Sequence, residues 1–577
     1  MSAARDLGLI WEHLPAHRRL QLGGTALLVL VGAVAEAATV GALLPLLAFF
    51  TAPQELTNIP VVGPWLLSLM RAQGQGAVVA LFCLAFLLGG AIRLWLTYAI
   101  QATAFGAIKD INVAAFARIV RQPYPFYNRT HSADLISRFE KTHALAYNVV
   151  LSGLQAIAAV VLCMALLALL LAVNTRMALI GGGSLIAAYL LVSLFVRRPL
   201  RRNATALAMV WGKRVQVVQE AIGGIRDILL DQSQRAFEQR MEEAADQTRR
   251  AMILNSYIGF APRVVVETVL MLVVAAFGFY LSRQPGGIGG SLPALGVMAL
   301  GALRLLPQVQ AAFQGWSAFI GNQKTLEEVT ELLRLPLPEG TRTAAVGSFS
   351  QELRLTGVSF AYDRRPTLVD VDLTIARGER FGIVGPTGSG KSTLMDLLLG
   401  LLEPDCGELL VDGEPARGDR RTWWQAQVAH VPQSIFLLDG TIRQNVAFGL
   451  AEARIDDRLV AEALRDAGLE AFVADLPDGV QTMVGERGAR LSGGQRQRLG
   501  IARALYKRAS VLVFDEATSA LDSDTEAAVM QAIDQLPGDI TIIMIAHRLG
   551  TLAGCDRIVV LEKGRIARIV GSVAELA

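Results

Sequence analysis

The sequence has little with which to staple a small fold. Its four cysteines, Cys83, Cys163, Cys406 and Cys555, are scattered, with no CxxC pair and no Cys/His cluster. Neither a disulfide framework nor a zinc site is indicated. Charge of one sign is scarce as well: 54 Lys and Arg against 51 Asp and Glu leave a net +3 over 577 residues. With no long basic run and no basic stripe interleaved with aromatics, nucleic acid is not expected as a partner. Internal repeats and low-complexity tracts are absent too. What the chain has in excess is apolar surface, 53% hydrophobic residues and a mean hydropathy of +0.42. That is too apolar for a purely soluble protein, and the chain is too long for one ordinary domain.

An α-helix needs about 20 mostly apolar residues to cross the hydrocarbon core. Such stretches occur near 20–50, 77–103, 147–172, 177–196, 254–282 and 292–315, which predicts six transmembrane helices. The first, from Leu20 to about Phe50, is too long for a signal peptide and lacks a cleavage site, so it is read as retained. Lys and Arg collect in the second-to-third interval (Lys109, Arg118, Arg121, Arg129, Arg138, Lys141) and in the fourth-to-fifth (Arg197, Arg198, Arg201, Arg202), while the alternate loops hold few. The positive-inside rule puts both termini and these long basic intervals in the cytoplasm. Each interval continues the helical spacing and is broken midway, at QPYPFYNRTHSADLISRFE and at EAIGGIRDILLDQ, giving two cytoplasmic tips suited to docking a motor domain. The expected organisation is a helical membrane domain over 1–320, a Pro/Gly/Ser-bearing linker over 321–352 and a soluble domain over 353–577. In the last, β-rich runs (RFGIVG, VLVFDE, TIIMIAH) alternate with helical periodicity, the pattern of an α/β fold on a largely parallel sheet.

Strand RFGIVG runs into GPTGSGKST and then a helical segment, the context in which G-x-x-x-x-G-K-S/T binds phosphates. Backbone N–H groups of Gly385, Thr387, Gly388, Ser389, Gly390 and Thr393 surround the phosphates of ATP in this reading. Lys391 reaches the β and γ oxygens, and the Ser392 hydroxyl takes a Mg²⁺ position. Strand SVLVFDE delivers Asp515 and Glu516 to the carboxyl edge of the sheet, where α/β folds bind ligands. Asp515 suits Mg²⁺, and Glu516 suits polarisation of the water that attacks the γ-phosphate.

Between these motifs lies LSGGQRQR, Leu491 to Arg498. With it the soluble domain resembles the nucleotide-binding domain of the ABC transporters. The resemblance implies that Tyr362 in FAYDRR stacks on adenine, that Gln433 in HVPQ serves both the metal and catalysis, and that Asp522 closes the D-loop SALD. His547 in IAHR would contact the γ-phosphate, although alone it reads as a satisfied strand-end histidine. It also implies that Ser492, Gly493, Gly494 and Gln495 of one chain close over the nucleotide of another, so the chain works as a homodimer with two competent sites. Glu486 and Arg487, just before the signature, would meet the cytoplasmic tips.

Six helices before one cassette resembles the exporter class, which holds lipid flippases, multidrug pumps and peptide exporters; many peptide exporters carry an N-terminal protease domain, and the roughly 20 residues before the first helix make peptide export the less expected of these. The implied location is the bacterial inner membrane, with the ATPase domain cytoplasmic. Charges inside membrane helices cost about 2.5–3.5 kcal/mol each on insertion scales and mark function. Here they are Glu36, Arg93, Arg263, Glu267 and Arg304. One reading has Arg263 and Glu267 neutralise each other and Arg93 reach a headgroup. The other has Arg93, Arg263 and Arg304 line a cavity for an anionic group, because guanidinium matches phosphate oxygens bidentately. The strings AEAATVGALLPLLAFF, GGAIRLWL, APRVVVETV and GALRLLPQ are similar to stretches of the PglK-type lipid-linked oligosaccharide flippases. That similarity implies a polyprenyl-pyrophosphate oligosaccharide as substrate, with phospholipid, lipid A or drug export as the alternative.

Overall fold

The computed structural model describes residues 2–42, 45–46, 49–50, 62–173, 175–282, 292–338, 348–363, 365–516, 523–546 and 548–576. The chain divides into two compact units, Met1–Gln122 with Phe126–Leu337, and Pro338–Ala577 with Pro123–Pro125.

The first unit is built of helices: α1 Ser2–His13, α2 Ala16–Gly41, α3 Val62–Gln73, α4 Gln75–Ile119, α5 Tyr124–Arg129 and α6 Ser132–Leu145. The chain then passes through a π-helical segment, Ala146–Leu151, into α7 Ser152–Val173. After it come α8 Thr175–Gly223, α9 Ile225–Leu230, α10 Gln234–Ser282, α11 Leu292–Gly321 and α12 Gln323–Arg334. Among the described residues, each of the six apolar stretches overlaps a helix. Among the described residues, three helices are long and apolar enough to cross a membrane, Ala16–Gly41, Gln75–Ile119 and Ser132–Ala172. The expected stretches on α8, α10 and α11 include side chains outside the description.

Helix α4 has 45 residues, and α8 and α10 have 49 each. At 1.5 Å per residue these are roughly 70 Å long, over twice the ~30 Å hydrocarbon core, so each has a long stretch beyond it. Both breaks expected from the sequence are present, and each holds one short helix, α5 or α9. The first falls at Pro123, because proline drives the residue before it, here Gln122, out of the helical region. The second falls at Gly223 and Gly224, where Gly224 N–H donates to Glu220 O at 2.9 Å.

The stretch read as a linker, 321–352, holds a helix, α12. Its apolar residues Leu326, Val329, Leu332 and Leu333 share one face. They are buried in a cluster with Ile10, Ile111, Leu145 and Val149. Ion pairs fix it further: Lys141 to Glu328 at 2.5 Å, Arg138 to Glu331 at 2.8 Å and Arg334 to the buried Asp6 at 2.5 Å.

The second unit has two sheets. A four-stranded sheet is ordered β2 (Arg365–Ala376), β1 (Glu352–Tyr362), β4 (Cys406–Val411), β5 (Glu414–Pro415), with antiparallel neighbours. A six-stranded sheet is ordered β10 (Arg565–Val570), β9 (Arg557–Glu562), β3 (Arg380–Val384), β8 (Thr541–Ile545), β7 (Val511–Asp515), β6 (Val428–Val431). It is parallel except for the edge strand β10. Alternate residues of its central strands enter different cores, which is the period-two consequence of a sheet covered on both faces. Val511, Val513, Ile543 and Ile545 join the core of the four-stranded sheet. Leu512, Phe514, Ile542 and Met544 join the core on the other face.

Candidate functional site

Strands β3 and β7 both flank β8, so their carboxyl ends bring the phosphate loop and the acidic pair to one edge of the sheet. Glycine is required in the loop for two separate reasons. A Cβ on Gly385 would stand 2.2 Å from Leu561 O, and Gly390, at φ 103°, would put one 2.9 Å from Thr367 O. The helix that follows, α13 (Lys391–Leu398), is capped by Gly390. Lys391 is buried and its Nζ donates to Gly385 O at 2.8 Å and Pro386 O at 3.1 Å, which holds it along the loop. Thr387, Gly388 and Ser392 are exposed, while Thr393 is buried. Ser389 is buried too, and its Oγ has no hydrogen-bond partner among the described residues. An orphaned buried hydroxyl in the loop that leads into a helix N-terminus fits a phosphate.

Glu516 follows β7 with φ 47°, a left-handed conformation unusual for a residue with a side chain. Its N–H donates to Ile545 O at 2.9 Å. Gln433 Nε2 donates to Glu516 Oε2 at 2.9 Å, a contact between residues 83 positions apart. Asp396, on α13, is an acid to which the sequence reading gave no role, alone in the apolar run LMDLLLGLL. Burial, and then the negative charge of Asp515, push its carboxyl up to about 6. Tyr362 lies at the end of β1, partly exposed, edge-on to Phe360 with 4.9 Å between ring centroids. The assigned Asp522 and His547 lie outside the described residues.

The signature segment opens helix α14 (Gly493–Tyr506). Ser492 Oγ accepts from Gln495 N–H at 3.2 Å and Gln495 Oε1 accepts from Ser492 N–H at 2.8 Å, a reciprocal capping box. Gly494 is buried, whereas Gly493 is exposed with nothing within 4 Å of the position a Cβ would take.

In the membrane-type unit, Arg93 of α4 donates through Nη2 to both oxygens of Glu36 on α2, at 2.8 and 2.6 Å. Arg304 of α11 donates through Nη1 to Glu36 Oε1 at 3.1 Å. Arg93 therefore binds a buried carboxylate. Arg263 stays apart from this trio and stands 3.9 Å from Glu267 on the same helix, both half-exposed. The neutralising pair read from the i, i+4 spacing is thus present.

A phosphate loop, an acidic strand end and a capped signature helix, on a chain whose other unit is built of membrane-length helices, define a membrane-bound ATPase. Residues 368–519 match the family model described as ABC transporter, and residues 40–290 match that described as ABC transporter transmembrane region. The chain belongs to the ABC transporters, as an exporter that carries membrane region and ATPase on one polypeptide. It hydrolyses ATP to drive transport, as a multi-pass inner-membrane protein with its ATPase in the cytoplasm. An ATP-dependent lipid A-core flippase of Ralstonia nicotianae is 33% identical over 83% of this chain and 81% of its own. The uncharacterized ABC transporter ATP-binding protein YwjA of Bacillus subtilis is 29% identical over 89% and 90%. A bacterial Atm1-family ABC exporter solved with ATP bound superposes with a TM-score of 0.77 at 25% identity, covering 97% of each chain.

Proposed function

We propose that the chain is a homodimeric, Mg²⁺-ATP-driven flippase of an anionic glycolipid, with a polyprenyl-pyrophosphate-linked oligosaccharide as its substrate. The observation that carries the substrate class is the convergence of Arg93 and Arg304 on Glu36 in the membrane-type unit. Guanidinium groups held together there match the paired oxygens of a phosphate or pyrophosphate. Arg263, paired along its own helix, has a weaker claim. The lipid A-core flippases support the same chemistry and favour lipid A-core as the second reading.

In the cassette, Lys391 and the N–H groups around Ser389 hold the β and γ phosphates. Ser392, Gln433 and Asp515 would hold Mg²⁺, which when bound would supply positive charge beside the transferred phosphoryl group. Glu516, oriented by Gln433, accepts a proton from the attacking water. Tyr362 stacks on the base. Ser492 Oγ accepts one N–H from its own helix, that of Gln495, and its O–H proton donates to the γ-phosphate bound by the partner protomer.

The test is flipping of the two lipids in proteoliposomes, expressed per ATP hydrolysed. The oligosaccharide lipid is expected to move with ATP, and Arg93→Ala and Arg304→Ala are expected to reduce lipid moved per ATP by about tenfold or more. Movement of lipid A-core alone would select the second reading, and movement of neither would overturn the anionic-lipid assignment.

A further inference from the structure

Glu36 is 6% exposed, and one arginine would neutralise it. It has two. The trio of one carboxylate and two guanidiniums therefore carries one net positive charge, in the unit whose helices are built to lie in hydrocarbon, where an unbalanced charge is costly. Arg93 and Arg304 retain 49% and 46% of their side-chain exposure, and each meets Glu36 through a single nitrogen. A guanidinium has five N–H donors, so most of the donors on both arginines lie outside these contacts. Glu36 thus does two things that a separate cation pair could not do for itself. It offsets the repulsion that would drive two guanidiniums apart, and it occupies part of the surface an anion would use.

We propose that Glu36 is a built-in counter-anion that sets the affinity of this site: it gathers Arg93 and Arg304 and competes with the anionic headgroup for their N–H donors. The proposal rests on the anionic-lipid reading above and adds to it a specificity-determining residue. A carboxylate in this position keeps binding of a pyrophosphate lipid weak enough for release, whereas an uncharged residue would leave two positive charges facing the headgroup.

The experiment is equilibrium binding of radiolabelled polyprenyl pyrophosphate to the nucleotide-free full chain in nanodiscs of zwitterionic lipid. Glu36→Gln, which keeps shape and a carbonyl acceptor, is expected to tighten binding about tenfold and to slow flipping. Arg304→Gln, which leaves a neutral Glu36–Arg93 pair, is expected to weaken it by a similar factor. The double variant Glu36→Gln/Arg304→Gln restores the net charge of +1 and should bind more tightly than Arg304→Gln alone. That comparison stands even if two unbalanced arginines prevent Glu36→Gln from folding. If the double variant binds no more tightly than Arg304→Gln, or Glu36→Gln no more tightly than the native chain, while Arg93→Ala weakens binding, Glu36 is structural and the proposal fails with the lipid reading intact. If the native chain does not bind the probe, or Arg93→Ala and Arg304→Gln bind it as the native chain does, the lipid reading itself fails and takes this proposal with it.

Discussion

Glu516 holds a left-handed backbone conformation that costs on the order of 1–3 kcal/mol for a residue with a side chain, and such conformations persist where the surroundings impose them. Here the Ile545 carbonyl and the Gln433 amide impose it from two sides. Glu516→Gln preserves the shape and removes the proton acceptor. ATP hydrolysis should fall by about 10² or more with ATP binding retained, and near-normal turnover would remove Glu516 from the role of general base. Two other side chains in the cassette give opposite pH signatures. Burial lowers the pKa of His430, so the folded state resists the proton that the unfolded state takes up near 6.5. Its contribution to stability is complete above that pH and is lost as pH falls. Asp396 runs the other way, because burial and Asp515 penalise its ionised form and that penalty lifts as pH falls through about 6. Thermal unfolding between pH 7.5 and 5.5 should therefore lose less with acid in His430→Leu and more in Asp396→Asn than in the native chain. Parallel curves for all three would mean that neither group titrates differently on folding.

At the scale of elements, the cassette was legible because its chemistry sits in consecutive residues. GPTGSGKST, VLVFDE and LSGGQ each carry their own backbone context, and the observed strand ends and helix starts fall on them. Helix α12 was harder to see, since the Pro/Gly signal of LPLPEG just beyond it masked the apolar face of LEEVTELLR. The Glu36 trio was illegible as a unit. The charges were visible, but Arg93 and Arg304 lie 57 and 268 residues from Glu36, and no local spacing encodes that pairing. Two element-level tests follow from the close contacts. Gly385→Ala drives a methyl against Leu561 O, and should abolish ATP binding and destabilise the cassette by about 1–3 kcal/mol; a variant that still binds ATP would show that the loop can shift. Ser492 separates a structural role from a chemical one. Replacing a cap serine by alanine costs about 1 kcal/mol, and by glycine only a few tenths. If the hydroxyl also serves a nucleotide, Ser492→Gly and Ser492→Ala should lose ATPase activity alike while differing in stability; activity that tracks stability would confine Ser492 to its cap.

For the whole molecule, the open question is whether a nucleotide site is built within one chain or across two, and Gly493 makes it answerable. It is exposed with open space around its Cβ position, so Gly493→Arg should leave its own protomer's fold intact. Any harm it does must come from what faces it. Lys391→Ala disables the phosphate loop of the protomer that carries it. In mixed dimers isolated with two affinity tags, the two lesions can lie on one protomer or on opposite protomers. If each site pairs the loop of one chain with the signature of the other, both lesions on one protomer spoil both sites. On opposite protomers they fall in the same site and leave the second whole. A site contained within one chain gives the reverse order: the same-protomer dimer keeps one native chain, and the opposite-protomer dimer keeps none. ATP turnover is expected only in the opposite-protomer dimer; turnover only in the same-protomer dimer would refute the shared site and, with it, the need for two copies of this chain.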